Sequence, residues 1–345
     1  MRFGVENKDK EINTTLNFLY RNSKKEIEIF DSLVKLLKKN VSSSDIFFIT
    51  LKELQKRNLI SGKKGKVKIF ELDRKELEEI KKIVEKKVYS IKKFFFTPLE
   101  IAKFYQCPRR LWLEKVVLSK QFKERKGKVW DGEAIHYATR LFVTYITKET
   151  SLRKATKDVA EKTISTFKDR ITLSKESIRI FLEKLFQFFS KENFVYVFAE
   201  KTLESFQLGL VGTPDLIGIR ENGEVVSMDI KAGKIKGGRI KEEHLLQNVG
   251  ESILVENFFR RKAKECYLIY FLSSSVAKIR INEDMKKSFL KYRKLIIKTL
   301  SSEKIPPKSK LPNFRKRVCK GCHVKPACDN IEFMRKFKKR KLYGF

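Results

Sequence analysis

Two apolar stretches joined by a tight turn constrain this chain more than any other feature. Residues 212–219 read GTPDLIGI, residues 225–233 read VVSMDIKAG, and ENGE lies between them. Gly223 lets the two strands fold back as a hairpin. Side chains alternate along a strand, so Asp229 and Lys231 project from one face, and the hairpin returns Asp215 beside Asp229 at the sheet's end. The expectation is two carboxylates and an ammonium around one point. Oxygen ligands of this kind suit Mg²⁺ or Mn²⁺, ions that activate water and neutralise charge as a phosphodiester is attacked. Alternating charge on an exposed strand explains the same spacing without any site.

The 345 residues predict about two domains. In KEIEIFDSLVKLLKKN, residues 25–40, Ile27, Ile29, Phe30, Leu33, Leu36 and Leu37 recur at helical spacing. Ser44 and Asp45 offer caps for a second helix through Leu59, and SGKKGK at 61–66 leads into the alternating VKIFEL. Helix, helix and β-wing predict a winged-helix-like domain over 1–94. Its second helix would enter the major groove, with Lys63, Lys64 and Lys66 on phosphates, although such units also bind proteins or brace a neighbour. A charged helix over 71–90 runs into a Lys and Phe stretch at 91–96, and the second domain takes 95–345.

In that second domain, Thr97-Pro98 opens a helix that carries Cys107 and continues through CPRRLWLEK. Two amphipathic helices span 151–192. Strands are predicted at 194–200, 208–219, 224–230, 265–272 and 277–282, with a helix over about 242–259 between the third and the fourth. The fold class is α/β, a mixed central sheet flanked by helices.

Lys and Arg number 78 against 42 Asp and Glu, and the net +36 points to a polyanionic partner, nucleic acid ahead of an anionic membrane surface. Arg109, Arg110, Lys115, Lys234, Lys236, Arg239 and the basic tail Arg335 to Lys341 fit a DNA path, and Phe333, Phe337 and Tyr343 in that tail suit either stacking on bases or docking on the core. No apolar run approaches the ~18 residues of a membrane span. The start, MRFGVENKDK, carries charges where an export signal is apolar, so a reducing cytoplasm is expected. Five cysteines are too few for a disulfide scaffold. Four of them fall as Cys107 and then Cys319-x2-Cys322-x5-Cys328, a closed thiolate set for zinc or an iron–sulfur cluster, which spacing does not separate. Cys266, in ECYLIYFL, reads as a buried thiol.

Asp215 followed by Asp229-x-Lys231 on adjacent strands resembles the PD-(D/E)XK nuclease superfamily. GEAIH, Gly132 to His136, resembles the first motif of its RecB-type branch, in which the His completes the metal shell, and Glu200 stands where that branch often carries an acid. The CPRR cysteine with three more after the fold is similar to the iron–sulfur RecB nucleases, above all the CRISPR-associated Cas-four family. The likeness runs from about residue 97 to 345 and leaves out the N-terminal 90 or so.

The resemblance implies a RecB-like, restriction-endonuclease-type core that processes DNA ends as an exonuclease or endonuclease. His136, Asp215 and Asp229 would hold Mg²⁺ or Mn²⁺; Lys231 would be the catalytic amine, with Glu200 and Gln247 in support. Cys107, Cys319, Cys322 and Cys328 would hold a [4Fe–4S] cluster. It also implies work beside CRISPR integration proteins, or in recombination and repair. Two positions depart from the pattern: HLLQNVGES carries Glu251 where the family's Gln-x-x-x-Tyr helix has Tyr, and Asp229 replaces the commoner Glu. From other classes, a non-catalytic DNA-binding scaffold and a zinc-bound transcription factor fit the same residues.

Overall fold

The structure is a computed structural model that describes residues 8–63, 65–90, 95–117, 128–146, 151–235, 239–302, 304–308, 319 and 322–330. It divides into two compact units, one comprising Met1–Phe96, Phe194–Ser227 and Glu251–Ala263, the other Thr97–Asn193, Met228–Gly250 and Lys264–Phe345.

The first unit starts with α1 (Lys8–Arg21), β1 (Glu26–Glu28), α2 (Ile29–Lys38), α3 (Ser44–Lys56), β2 (Ile60–Lys63), β3 (Lys66–Ile69) and α4 (Arg74–Tyr89). The three strands form an antiparallel sheet in the order β1-β3-β2, with Ile27 opposite Val67 and Ile60 opposite Ile69. The helix expected from residue 25 therefore begins only at Ile29, because Glu26–Glu28 pair with Lys66–Lys68. Ser43, one place before the expected caps, closes α3 by accepting from the Asp45 N–H at 3.3 Å. An Asp73/Glu76 capping box starts α4.

Four more strands belong to this unit: β4 (Phe194–Ala199), β5 (Leu203–Ser205), β6 (Leu210–Gly212) and β7 (Leu216–Arg220). β4 pairs antiparallel with β7, and β5 with β6. The single strand expected over 208–219 is interrupted at 213–215, where Pro214 has no N–H for a ladder and Asp215 stays outside the strands. The N-terminal helices pack on this sheet region through buried polar contacts. The Lys8 ammonium meets Glu11 at 3.2 Å and also Glu204, and Asp45 accepts from the Phe206 N–H at 2.7 Å and from Arg260 at 2.9 Å.

β8 (Val225–Lys231) crosses from the first unit to the second between Ser227 and Met228. The turn before it is closed by the Gly223 N–H on the Arg220 carbonyl at 2.8 Å, with Gly223 at φ +75°. The second unit contains α5 (Pro98–Gln106), α6 (Pro108–Trp112), a π-turn at Leu113–Val117, α7 (Lys128–Ile146), α8 (Leu152–Phe167), a 3₁₀ turn at Lys168–Arg170 and α9 (Lys175–Lys191). After β8 come α10 (Glu242–Phe259), whose second half returns to the first unit, β9 (Glu265–Tyr270), β10 (Ser275–Arg280), α11 (Glu283–Leu300) and α12 (Lys325–Asp329). Strand order β10-β9-β8-β7-β4 makes a mixed central sheet with flanking helices, the expected α/β class. Among the described residues no helix is long and apolar enough to cross a membrane.

The helix expected to carry Cys107 is broken there. Thr97 and Glu100 form a capping box with Pro98 in the first turn, but α5 ends at Gln106 and Cys107 is extended at φ −157°, ψ 102°. Pro108 restricts the residue before it to extended backbone and restarts the helix as α6.

Candidate active site and cysteine cavity

Asp229 lies near the end of β8 and is only 2 % exposed. A carboxylate so placed needs a partner, and the same strand supplies one two residues on: Lys231 Nζ stands 2.6 Å from Asp229 Oδ2. Gln247, on α10, ties the pair together by accepting from Lys231 at 3.2 Å through Oε1 and donating Nε2 to Asp229 Oδ1 at 3.3 Å. Asp229, Lys231 and Gln247 are thus one hydrogen-bonded group. Glu251, one turn further along α10, is 5 % exposed.

Glu200 and Asp215 are brought together in the first unit, where the Glu200 N–H donates to the Asp215 carbonyl at 3.0 Å. Glu200 has φ +48°, a left-handed conformation costly for a residue with a Cβ. Both side chains are half-buried, as is His136 in the middle of α7. Among the described residues, no three His, Cys, Asp or Glu side chains form a group that could hold a metal ion.

Cys107, Cys319, Cys322 and Cys328 line a single cavity of about 230 Å³ together with Arg110 and Lys308. Burial raises the Cys322 thiol above the usual range, opposed by a backbone hydrogen bond from Val324 and the charge of Arg110. Cys266 is fully buried in the core of β9, packed with Leu268, Tyr270 and Ile279. All five cysteines are free thiols.

Residues 95–329 match the family described as the PD-(D/E)XK nuclease superfamily. The chain belongs to that superfamily. Its family reading is a nuclease, and nucleases of this kind commonly use Mg²⁺ or Mn²⁺. No curated protein matches the sequence. Among solved structures, the crystal structure of SSO0001 is similar at 17 % identity, over 66 % of this chain and 94 % of its own, with a TM-score of 0.29.

Against that family background, several expected nucleic-acid contacts are engaged inside the fold. Arg109 donates to the Pro306 carbonyl at 2.7 Å, Arg110 to Glu114 at 2.9 Å, and Lys115 pairs with Glu100. The first turn of α3, the helix expected to enter the major groove, is buried, with Asp45 held by Phe206 and Arg260. Lys66 pairs with Glu28 at 3.5 Å. Lys64, Lys236, Phe333, Phe337, Tyr343 and the basic run 335–341 lie outside the described residues, as does the Lys63 side chain. Lys234 and Arg239 are exposed.

His244 lies beside the group of Asp229, Lys231 and Gln247 and has no role in the sequence reading, where His136 is preferred to it. It precedes Gln247 by three positions on α10, its ring lies 6.4 Å from that of Tyr270, and its Nδ1 is buried. Burial, aided by the ammoniums of Lys231 and Lys241, pulls its pKa down to about 4, so the imidazole is neutral at pH 7. The i, i+3 spacing from Gln247 was the available signal.

Proposed function

We propose that this superfamily member is a metal-dependent deoxyribonuclease that trims or cleaves DNA ends. The observation that carries the reading is the buried Asp229 carboxylate with Lys231 at 2.6 Å and Gln247 bonded to both. By the resemblance, His136, Asp215 and Asp229 are the proposed ligands of Mg²⁺ or Mn²⁺; their oxygen and imidazole donors are of the type a hard divalent ion takes, though they are not gathered into one ligand group in this structure. Such an ion, when bound, lowers the pKa of a water and offsets charge on phosphate oxygens. Gln247 holds Lys231 in place, and the Lys231 ammonium donates to a phosphoryl oxygen or orients the attacking water. Glu200 stays a supporting residue through its backbone bond to Asp215.

The resemblance to the iron–sulfur RecB nucleases carries the proposal of a [4Fe–4S] cluster on Cys107, Cys319, Cys322 and Cys328, whose thiols are a soft donor set lining one cavity but are not drawn together as a ready-made ligand group; a reducing cytoplasm is proposed with it. The element order α1-β1-α2-α3-β2-β3-α4 supports a winged-helix-like N-terminal segment, which we read as bracing, given the covered first turn of α3. Similarity to the CRISPR-associated Cas-four family supports CRISPR spacer processing beside integration proteins as one pathway for this activity, with recombination and repair as the other, and the extra N-terminal segment leaves the choice open.

The test is digestion of end-labelled single-stranded and duplex DNA with Mg²⁺, Mn²⁺ or EDTA, beside Lys231→Ala. Metal-dependent cutting lost in Lys231→Ala is the expected result. Binding without cutting under every condition turns the assignment to a DNA-binding scaffold.

A further inference from the structure

The second unit carries an aromatic cluster that the proposed catalytic group does not use. Trp130 and Tyr137 lie two turns apart on α7, and Phe167 at the end of α8 meets both edge-on, with ring centroids 6.4 Å and 5.7 Å away. Cations from exposed positions cover these rings. The Arg170 guanidinium lies 5.0 Å from the Trp130 centroid and the Arg140 guanidinium 5.6 Å from that of Tyr137, while Lys162 of α8 donates to the Tyr145 hydroxyl at the far end of α7.

This arrangement is held by local structure. Lys168, between Phe167 and Arg170, has φ +42° and ψ −128°, a conformation seldom populated by a residue with a side chain. Asp131, an acid beside Trp130, is engaged by Thr172, which donates both its N–H and its hydroxyl at 2.7 Å. A guanidinium resting on a ring keeps its N–H donors in a fixed plane for phosphate oxygens. Rings alternating with such cations match a chain of bases alternating with phosphates. A duplex, whose bases are already stacked on each other, offers the rings nothing.

Location supplies the second argument. Tyr137 directly follows His136, and Arg140 lies four residues beyond His136, hence on the same side of α7. Trp130 to Arg140 spans ~15 Å of helix at 1.5 Å per residue. A strand lying along α7 therefore passes the proposed ion ligand.

We propose that the α7–α8 aromatic and cationic face binds an unpaired DNA strand and delivers it to His136. The inference deepens the nuclease reading and rests on it for the destination of the strand, though not for the binding itself.

The experiment is anisotropy titration of labelled oligo(dT), and of a duplex of equal length, in EDTA. It compares the wild type with an Arg140→Glu/Arg170→Glu double variant and with Lys287→Glu as a remote exposed control. Thermal melts confirm that the variants fold. The double variant is expected to bind oligo(dT) about tenfold more weakly, with a salt dependence shallower by about 1.4, two phosphates at ~0.7 each. Lys287→Glu should match the wild type. In a Trp112→Phe background, oligo(dT) should quench Trp130 emission and the duplex should not. Unchanged oligo(dT) affinity in the double variant, or equal quenching by duplex, overturns the proposal. If wild-type protein binds oligo(dT) through this face yet never cuts with Mg²⁺ or Mn²⁺, the nuclease reading fails and the platform stands. If cutting is normal and the double variant binds normally, the platform fails and the nuclease reading stands.

Discussion

Lys231 Nζ and Asp229 Oδ2 stand 2.6 Å apart on a single strand, with the carboxylate side chain 3 % exposed and the lysine 19 %. Removing the ammonium leaves a buried negative charge without its counter-ion. Lys231→Met should therefore destabilise the fold by about 3 kcal/mol as well as abolish cleavage. Asp229→Asn/Lys231→Met should recover most of that stability and none of the activity. Urea denaturation of the two variants in EDTA checks the stability, and equal stability of Lys231→Met and wild type refutes the coupling.

Gly250 sits on α10 where a Cβ would overlap the Phe289 ring of α11 and lie 2.9 Å from Pro98 of α5. Phe289 is fully buried, so its ring has little room to move aside. Gly250→Ala should cost about 1–3 kcal/mol through overpacking, against the small gain in helix propensity that Ala gives on an open helix. Phe289→Leu should relieve part of the loss in the double variant. Thermal melts of the four proteins measure it.

The difference between the legible and the illegible parts of this chain is physical. The hairpin of β7 and β8 is legible because alternation and Gly223 act over neighbouring residues, and α10 because an apolar-rich run of eighteen residues without Pro is too long for a strand. The break at Cys107 was available from Pro108, whose restriction of the preceding residue outweighs helical periodicity. β1 was hidden because three residues of strand show only when their partner, β3, is known. α1 was passed over although Ile12, Leu16 and Leu19 share one side. At the site, the Asp229-x-Lys231 spacing is local and readable, and the Gln247 bridge follows from the family motif. The burial that neutralises His244 depends on the tertiary neighbourhood of Tyr270 and Lys231 and has no sequence mark beyond its spacing from Gln247.

That burial predicts a pH dependence. With the folded pKa near 4 and an unfolded value near the ordinary 6.5 of an imidazole, the unfolded chain takes up the His244 proton first as pH falls. His244 thus contributes nothing unfavourable above about pH 6.5, and stability is lost as pH drops from there towards 4. His244→Phe, which keeps a ring against Tyr270, should flatten the denaturation midpoint across this window when measured in EDTA. A histidine resonance titrating near 4 and missing from the variant identifies the group, and a His244 pKa near 6.5 refutes it.

The cysteine cavity is held by contacts that each lie beside one thiol. Arg109, two residues after Cys107, donates to the Pro306 carbonyl at 2.7 Å; Glu114 meets His323, next to Cys322, at 3.2 Å; Lys308 meets Asp329, next to Cys328, at 2.8 Å. Glu114 is the hub, because it also accepts from Arg110 at 2.9 Å and pairs with Lys103 at 3.3 Å. Burial raises its pKa, but the hydrogen bond from Arg110 and the surrounding cations outweigh it and hold the carboxyl below its ordinary value, so it is ionised at pH 7. Glu114→Gln keeps the shape and removes the charge, loosening the loop of Cys322 against the helix after Cys107 while leaving all four thiols, the proposed ligands, in the chain. Partners that orient metal ligands typically govern ten- to hundredfold in metal retention, so Glu114→Gln should release iron roughly tenfold faster to a chelator after anaerobic reconstitution. Cys322→Ser should retain none of the cluster colour. Iron and acid-labile sulfide per chain, followed with the visible absorbance, separate the outcomes: a colourless wild type containing zinc removes the iron–sulfur assignment, while a coloured wild type with unchanged release in Glu114→Gln removes the role given to the hub.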